Sequence, residues 1–159
     1  MSKQDVLEKG GSVGKYKENF MLWPEKWNQY EENHDCDWRC VDFDESEQGN
    51  VPEEPGVYNF VVEPDIACHP SCAYLMYVGE TECLRNRFGD YLYEKDDDKG
   101  RPKIIKMLNY WEGYLKFYYL IVDDDERENL QDQMITAFIP PFNDQLKGDI
   151  SGPVNAFRT

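Results

Sequence analysis

Two sets of side chains in this chain have types and spacings that could do chemistry. The first is cysteine. Cys36-x3-Cys40 and Cys68-x3-Cys72 form two pairs, and His34 and His69, the sole histidines, lie beside them. Paired thiolates at this spacing suit tetrahedral Zn2+, although four-cysteine sites more often use an x2 knuckle. Cys83 makes the count odd, and Met1 to Gly14 contains no apolar leader. Reduced thiols are therefore the favoured reading over a disulfide framework, with Zn2+ held by Cys36, Cys40, Cys68 and Cys72 as the alternative. The second set is basic. Arg85, Arg87, Lys95, Lys99, Arg101, Lys103 and Lys106 are seven of the 11 Lys and Arg residues that follow position 50, packed into 22 positions. A polyanion would bind there, gripped by Arg85, Lys99, Arg101, Lys103 and Lys106.

The rest of the charge points the other way. Against 17 Lys and Arg stand 32 Asp and Glu, a formal charge of −15. Such a chain does not coat nucleic acid non-specifically, because phosphate contacts need clustered cations. No run is long and apolar enough to span a bilayer, so a cytoplasmic location is expected and a membrane partner is not. At 159 residues with 40% hydrophobic content, the chain should form one packed domain with an appendage.

These side chains need elements to position them. Residues 1–55 read as an N-terminal extension closed by an acidic linker over 42–55. Within it, Pro24 suits the first turn of a short helix whose Trp23 and Trp27 are expected to cover the main core, with a partner surface as the alternative. The patterned region spans 56–145, with 146–159 as a C-terminal tail. Val57 to Val62 is β-branched and aromatic, which predicts a strand, and Ala73 to Val78 predicts a second. From Thr81, a plausible N-cap, the apolar period becomes helical. Pro102 opens a second helix that Gly113 ends. Tyr114 to Val122 is a third strand. Asp123 to Glu126 supplies acidic first-turn residues for a third helix ending before Pro140-Pro141. Strand, strand, helix, helix, strand, helix is an α+β pattern.

On these elements sits a combination that resembles the GIY-YIG nuclease family. Gly56-Val57-Tyr58 and Tyr77-Val78-Gly79 look like the two halves of its signature. Arg87 follows the second tyrosine by ten residues, Tyr91 lies one helical turn later, and Pro140-Pro141-Phe142-Asn143 matches the closing element. The resemblance covers about residues 55–145, with Glu63 to Ser71 as an insertion between the signature strands. It implies a small three-stranded, mainly antiparallel sheet flanked by helices, and a metal-dependent DNA endonuclease. It also implies roles: Tyr58 helps activate water, Tyr77 orients the site, Arg87 grips the scissile phosphate through its planar fork, Tyr91 shares that helix face, and Asn143 fixes the wall. Mg2+ or Mn2+ would polarise the phosphate, held by one glutamate on the third helix.

One departure concerns that glutamate. Twelve residues before Asn143 stands Gln131, which keeps a carbonyl oxygen but has no charge. Glu128, one turn earlier, is the nearest substitute; Asp132 points about 100° away round the helix. The residue is an introduced Glu→Gln change, the mark of a natural non-cutting form, or a sign that the ligand has shifted. Glu80, where the family carries a basic residue, also weakens phosphate attraction. The rival reading is a non-catalytic GIY-YIG-like binding or inhibitor module, an acidic DNA mimic built on Asp96-Asp97-Asp98 and Asp123-Asp124-Asp125-Glu126. For either, the expected partner besides DNA is a second copy of the chain or a protein with a basic surface.

Overall fold

A computed structural model describes residues 4, 11–30, 37–64, 71–146 and 151–157. In chain order the elements are α1 (Pro24–Asn28), β1 (Arg39–Asp42), a 3-10 helix (Glu45–Asn50), β2 (Gly56–Val62), β3 (Tyr74–Thr81), α2 (Leu84–Glu94), α3 (Pro102–Tyr110), β4 (Leu115–Ile121), α4 (Asp124–Phe138) and α5 (Ser151–Phe157). The fold is α+β, as predicted. All pairings in the sheet are antiparallel and its order is β1-β4-β2-β3.

The sheet thus has four strands and not three. β1, inside the predicted extension, pairs Arg39 with Tyr119 through Asp42 with Lys116. Four residues carry too little alternation to announce a strand, and the open edge of β4 recruits them. The acidic stretch is not a linker either. Asp44 caps the 3-10 helix by accepting from the Ser46 N–H at 2.9 Å, and Val51 behind it is fully buried in the core. The tail also folds: Val154 of α5 is buried against Ile139.

β2 is buried along its whole length because both faces are covered. One face turns Tyr58, Phe60 and Val62 toward Leu84, Phe88 and Tyr91 of α2 and Ile104, Met107 and Leu108 of α3. The other turns Val57, with Val78, Leu120 and Val122, toward Leu130, Met134 and Ile135 of α4. Gly56 is required by packing: a Cβ there would lie 2.3 Å from the Leu120 carbonyl oxygen. Thr81 is the last residue of β3, paired with Gly56, and not a helix cap; its Oγ1 accepts from the Cys83 N–H and α2 starts at Leu84. α1 begins at Pro24 as predicted, but Trp23 packs on the small Ile139–Val154 patch and Trp27 is exposed, so neither covers the main core.

Candidate active site

The central strand and its edge neighbour bring the signature together. Tyr58 of β2 is the register partner of Gly79 of β3, and Phe60 that of Tyr77. The Tyr58 ring crosses over Gly79, where a side chain would have no room. It stacks on Phe117 with centroids 5.2 Å apart and meets Tyr91 at 5.8 Å and Tyr77 at 6.3 Å. The Tyr58 and Tyr91 hydroxyls are hydrogen-bonded at 2.8 Å. Burial pushes the Tyr58 phenol well above its usual value, and the neighbouring Tyr91 and Tyr77 add to this. Burial also raises Tyr91. Both phenols are neutral at physiological pH.

Arg87 lies one turn before Tyr91 on α2. Its charge reaches Tyr58, where it favours the ionised phenol and partly offsets burial. Its side chain is half-exposed, pairs loosely with Asp90 at 3.6 Å, and leaves Nε buried without a hydrogen-bond partner. Asn143 is placed by the end of α4. Ile139 adopts a left-handed backbone, φ 46°, unusual for a β-branched residue, and Pro140 follows. The reversed chain lies along the free edge of β3. There Phe142 N–H donates to Met76 O, Asn143 Oδ1 accepts from Val78 N–H at 2.9 Å, and Asn143 Nδ2 donates to Val78 O at 2.8 Å. The side-chain amide completes the ladder of an edge strand between the two signature residues Tyr77 and Gly79.

Beside this cluster opens a cleft of about 760 Å3. Tyr77 and Glu80 of β3, Arg101 and Lys103 at the start of α3, and Asn143 with Asp144 form part of its wall. Glu128, Gln131 and Asp132 of α4 form another part, so all three side chains weighed for the metal face one space. Glu80 is ion-paired to Arg127. No group of three His, Cys, Asp or Glu side chains able to hold a metal occurs among the described residues. Mg2+ does not need such a cage: it binds through one or two carboxylates and keeps water and substrate phosphate. The Glu128 carboxylate and the Gln131 amide oxygen fit that lesser requirement.

The basic residues divide. Arg101 and Lys103 line the cleft, but Arg101 is tied to Glu94 and Lys103 to Asp144. Arg85 is turned away: its Nε donates to Val51 O at 2.8 Å, Nη1 to Glu53 at 2.8 Å and Nη2 to Gly49 O at 3.3 Å, fastening the 3-10 helix to α2. Lys106 pairs with Glu18 and sits among Tyr110, Trp111 and Phe142. Lys99 lines a second concavity with Asp96, Asp97 and Asp98. Sequence reasoning missed Glu94 and Asp144 as partners of the cleft cations. A signal existed for Glu94, since Arg87, Tyr91 and Glu94 recur at helical spacing. Cys36 and Cys68, and both histidines, lie outside the described residues; Cys40 and Cys72 are exposed.

An α+β domain with an antiparallel sheet flanked by helices, the two signature tripeptides in register on adjacent strands, and Asn143 stitched to the second of them resembles the GIY-YIG nuclease family. Known proteins it is similar to include UvrABC system protein C of several bacteria. It is 31% identical over 104 residues to UvrABC system protein C of Thermoanaerobacter sp. (strain X514) and 33% identical over 103 residues to that of Tropheryma whipplei (strain Twist). Each match covers 65% of this chain and 15% of the relative, so the chain spans only a small part of these proteins. Among solved structures it is similar to the GIY-YIG N-terminal endonuclease domain of UvrC from Thermotoga maritima, a structure bound to magnesium; identity is 22%, TM-score 0.46, and coverage 62% of this chain and 92% of that one. No family model matches the chain. Among the described residues no helix is long and apolar enough to cross a membrane.

Proposed function

We propose that this chain is a GIY-YIG-type, metal-dependent DNA endonuclease domain acting in the cytoplasm, with Tyr58, Tyr77, Arg87 and Tyr91 at the reacting centre. The observation that carries the reading is the convergence of these four residues, from two strands and one helix, beside a cleft holding Glu128 and Gln131. Water attacks phosphorus, the bond to one sugar oxygen breaks, and that oxygen leaves with a proton. Arg87 suits the phosphate grip, because its exposed pair with Asp90 is worth little and its planar fork matches two phosphoryl oxygens. Lys103 adds a second, exchangeable cation. Tyr77 borders the cleft and orients what enters it. Asn143 holds the strand that carries Tyr77.

Glu128 with the Gln131 oxygen would hold Mg2+ or Mn2+, which when bound neutralises charge on the phosphoryl group. Gln131 supplies one carboxylate fewer than the resemblance implies, so cleavage by this chain should be slow. Glutamate at 131 should raise the rate by on the order of a hundredfold or more, at about 1.4 kcal/mol per tenfold. A plasmid-nicking assay of the chain and of Gln131→Glu in Mg2+ and Mn2+ tests this. Cleavage by neither form, with DNA binding intact, would overturn the nuclease reading.

One observation favours a second reading, a non-catalytic binding or inhibitor module. Arg101 and Lys103 share the cleft lining with Glu80, Glu128, Asp132 and Asp144, so it is acidic on balance. Under both readings a second copy or a basic partner protein supplies the remaining grip on DNA, or is itself the target.

A further inference from the structure

The cleft and the concavity beside Lys99 are both lined by more carboxylates than cations. A third concavity, of about 590 Å3, is not: its lining sets Lys17 against Glu18, and Glu18 is already paired with Lys106. The rest of this groove is aromatic and apolar. Tyr74 opens β3 opposite Val62, and the Tyr114 carbonyl, just before β4, accepts from the Glu63 N–H at 2.9 Å. The two tyrosines thus come from neighbouring strands at one end of the sheet, and Trp111, the residue after α3, joins them. The outer wall is the segment 16–20. The Glu18–Lys106 pair and the Tyr16–Tyr110 contact at 5.6 Å fasten it to α3, and its Phe20 meets Tyr74 at 5.8 Å. Tyr16, Tyr74 and Tyr114 are nonetheless about half exposed, and Phe20 is 39% exposed. Large rings held in place with open faces in one groove mark a binding surface, not a core.

We propose that this groove takes unpaired nucleobases of a DNA strand whose backbone enters the cleft, so that the substrate carries a single-stranded stretch beside the scissile phosphate. The inference rests on the endonuclease reading of the cleft. Bases in a duplex are stacked on one another, so only unpaired ones have faces to offer, and exposed aromatic rings receive such faces whatever the base. The phosphates that accompany the bases find cations along the rim. Lys17 is in the wall, Lys15 lies 5.0 Å from the Tyr16 ring centre, and Lys106 lies 5.7–6.0 Å from those of Tyr110, Trp111 and Phe142. Rings bordered by lysines are the pairing that single strands need, whereas a purely apolar partner would not call for the lysines. Groove and cleft share a wall. Phe142 lines the cleft and packs edge-on against Trp111 of the groove at 5.8 Å. Met76 lines the groove, the next residue, Tyr77, lines the cleft, and the Phe142 N–H donates to Met76 O. Stacking does not depend on net charge, so it gives a chain of charge −15 a hold on DNA that its acidic cleft does not. Tyr16, Lys17 and Phe20 precede residues 55–145, so the family resemblance does not account for this wall.

The test uses the full chain in EDTA, where no cleavage competes, and two labelled single strands of equal length, one bearing bases and one abasic, followed by fluorescence anisotropy. The strand with bases should bind roughly tenfold tighter or more. Tyr74→Ala and Tyr114→Ala should each weaken it roughly five- to a hundredfold, from 1–3 kcal/mol per stacked base at about 1.4 kcal/mol per tenfold, and leave the abasic strand as it was. Tyr74→Phe keeps the ring face and should bind like the parent. If Tyr74→Ala does not fold, Tyr74→Leu, which keeps apolar contact with Phe20 but has no ring, takes its place. Lys17→Ala should weaken both strands alike and lower the slope of log K on log[salt] by about 0.7, one phosphate contact on a single strand. Equal binding of the two strands by the parent, or a loss in Tyr74→Ala that is the same for both, overturns the proposal. A change of oligomeric state in Tyr74→Ala with DNA affinity intact would give the groove to a second copy and also refute it. Plasmid nicking by Gln131→Glu is read separately. Base-selective binding without nicking sinks the nuclease reading and keeps the groove; nicking without base selectivity does the reverse.

Discussion

Gly79→Ala isolates the contact on which the site is built. A Cβ at position 79 would lie 2.3 Å from the Tyr58 Oη, 2.4 Å from Cζ and 2.9 Å from Cε2, where ordinary contact begins at 3.4 Å. The ring must retreat by about 1 Å and has nowhere to go. Phe117 is stacked against it at 5.2 Å, and Tyr91 and Phe60 meet it edge-on at 5.8 and 6.4 Å. Overpacking of this kind costs about 1–3 kcal/mol, and a displaced Tyr58 loses its 2.8 Å bond to Tyr91, about 1 kcal/mol more. At roughly 2–4 °C per kcal/mol for a chain this long, Tm should fall by roughly 5–15 °C. Calorimetry or thermal circular dichroism gives the number. The collision is with the ring and not merely the hydroxyl, so Tyr58→Phe should not rescue Gly79→Ala. In a Tyr58→Ala background, itself destabilised by its cavity, the added methyl should cost little or nothing. A Gly79→Ala protein as stable as its parent, or one rescued by Tyr58→Phe, would refute this account of the Tyr58–Gly79 pair.

Three further outcomes are expected. Arg87→Ala in the Gln131→Glu protein should abolish nicking while changing urea stability by no more than about 0.5 kcal/mol, since the lost pair is exposed. Asn143→Ala should destabilise by about 2–4 kcal/mol in urea unfolding, because it leaves both the Val78 N–H and C=O unpaired. Stability should also fall on both pH flanks in Tm measurements. The folded Tyr58 and Tyr91 phenols titrate above the free value of 10.0, so the unfolded chain releases protons that the fold retains and stability is lost as pH rises past 10. Tyr91→Phe should flatten that loss. Hydrogen bonding from Arg101 lowers Glu94 below 4.5, so its contribution is present above that pH and is lost as pH falls through the folded value.

The acidic lining of the cleft bears on what the domain can hold. Each cation there carries a carboxylate partner, but the partnerships differ in strength. Lys103 can exchange Asp144 for a phosphate at little cost, because an exposed pair is worth about 0–1 kcal/mol. Arg101 cannot exchange Glu94 so cheaply.

The amino-acid sequence by itself determined the elements from Gly56 to Phe138, and the family resemblance it carries grouped Tyr58, Tyr77, Arg87, Tyr91 and Asn143. β-branched runs, helical spacing, Pro102 and Pro140 are local signals, and local hydrogen bonding obeys them whatever surrounds it. The family spacing counted back from Asn143 also put Gln131 where the resemblance implies a carboxylate. Only the tertiary structure decided that Arg39–Asp42 joins the sheet, because the edge of β4 and not the propensity of four residues recruits it. Only packing made Val51 part of the core and the acidic stretch before it a folded turn. Which basic residues face the cleft was likewise undecidable in one dimension. Arg85 meets Glu53, Lys106 meets Glu18, and Lys103 meets Asp144 across 32, 88 and 41 residues of chain. Long, flexible side chains choose partners by where the fold delivers the opposite charge, and spacing along the chain does not record that choice.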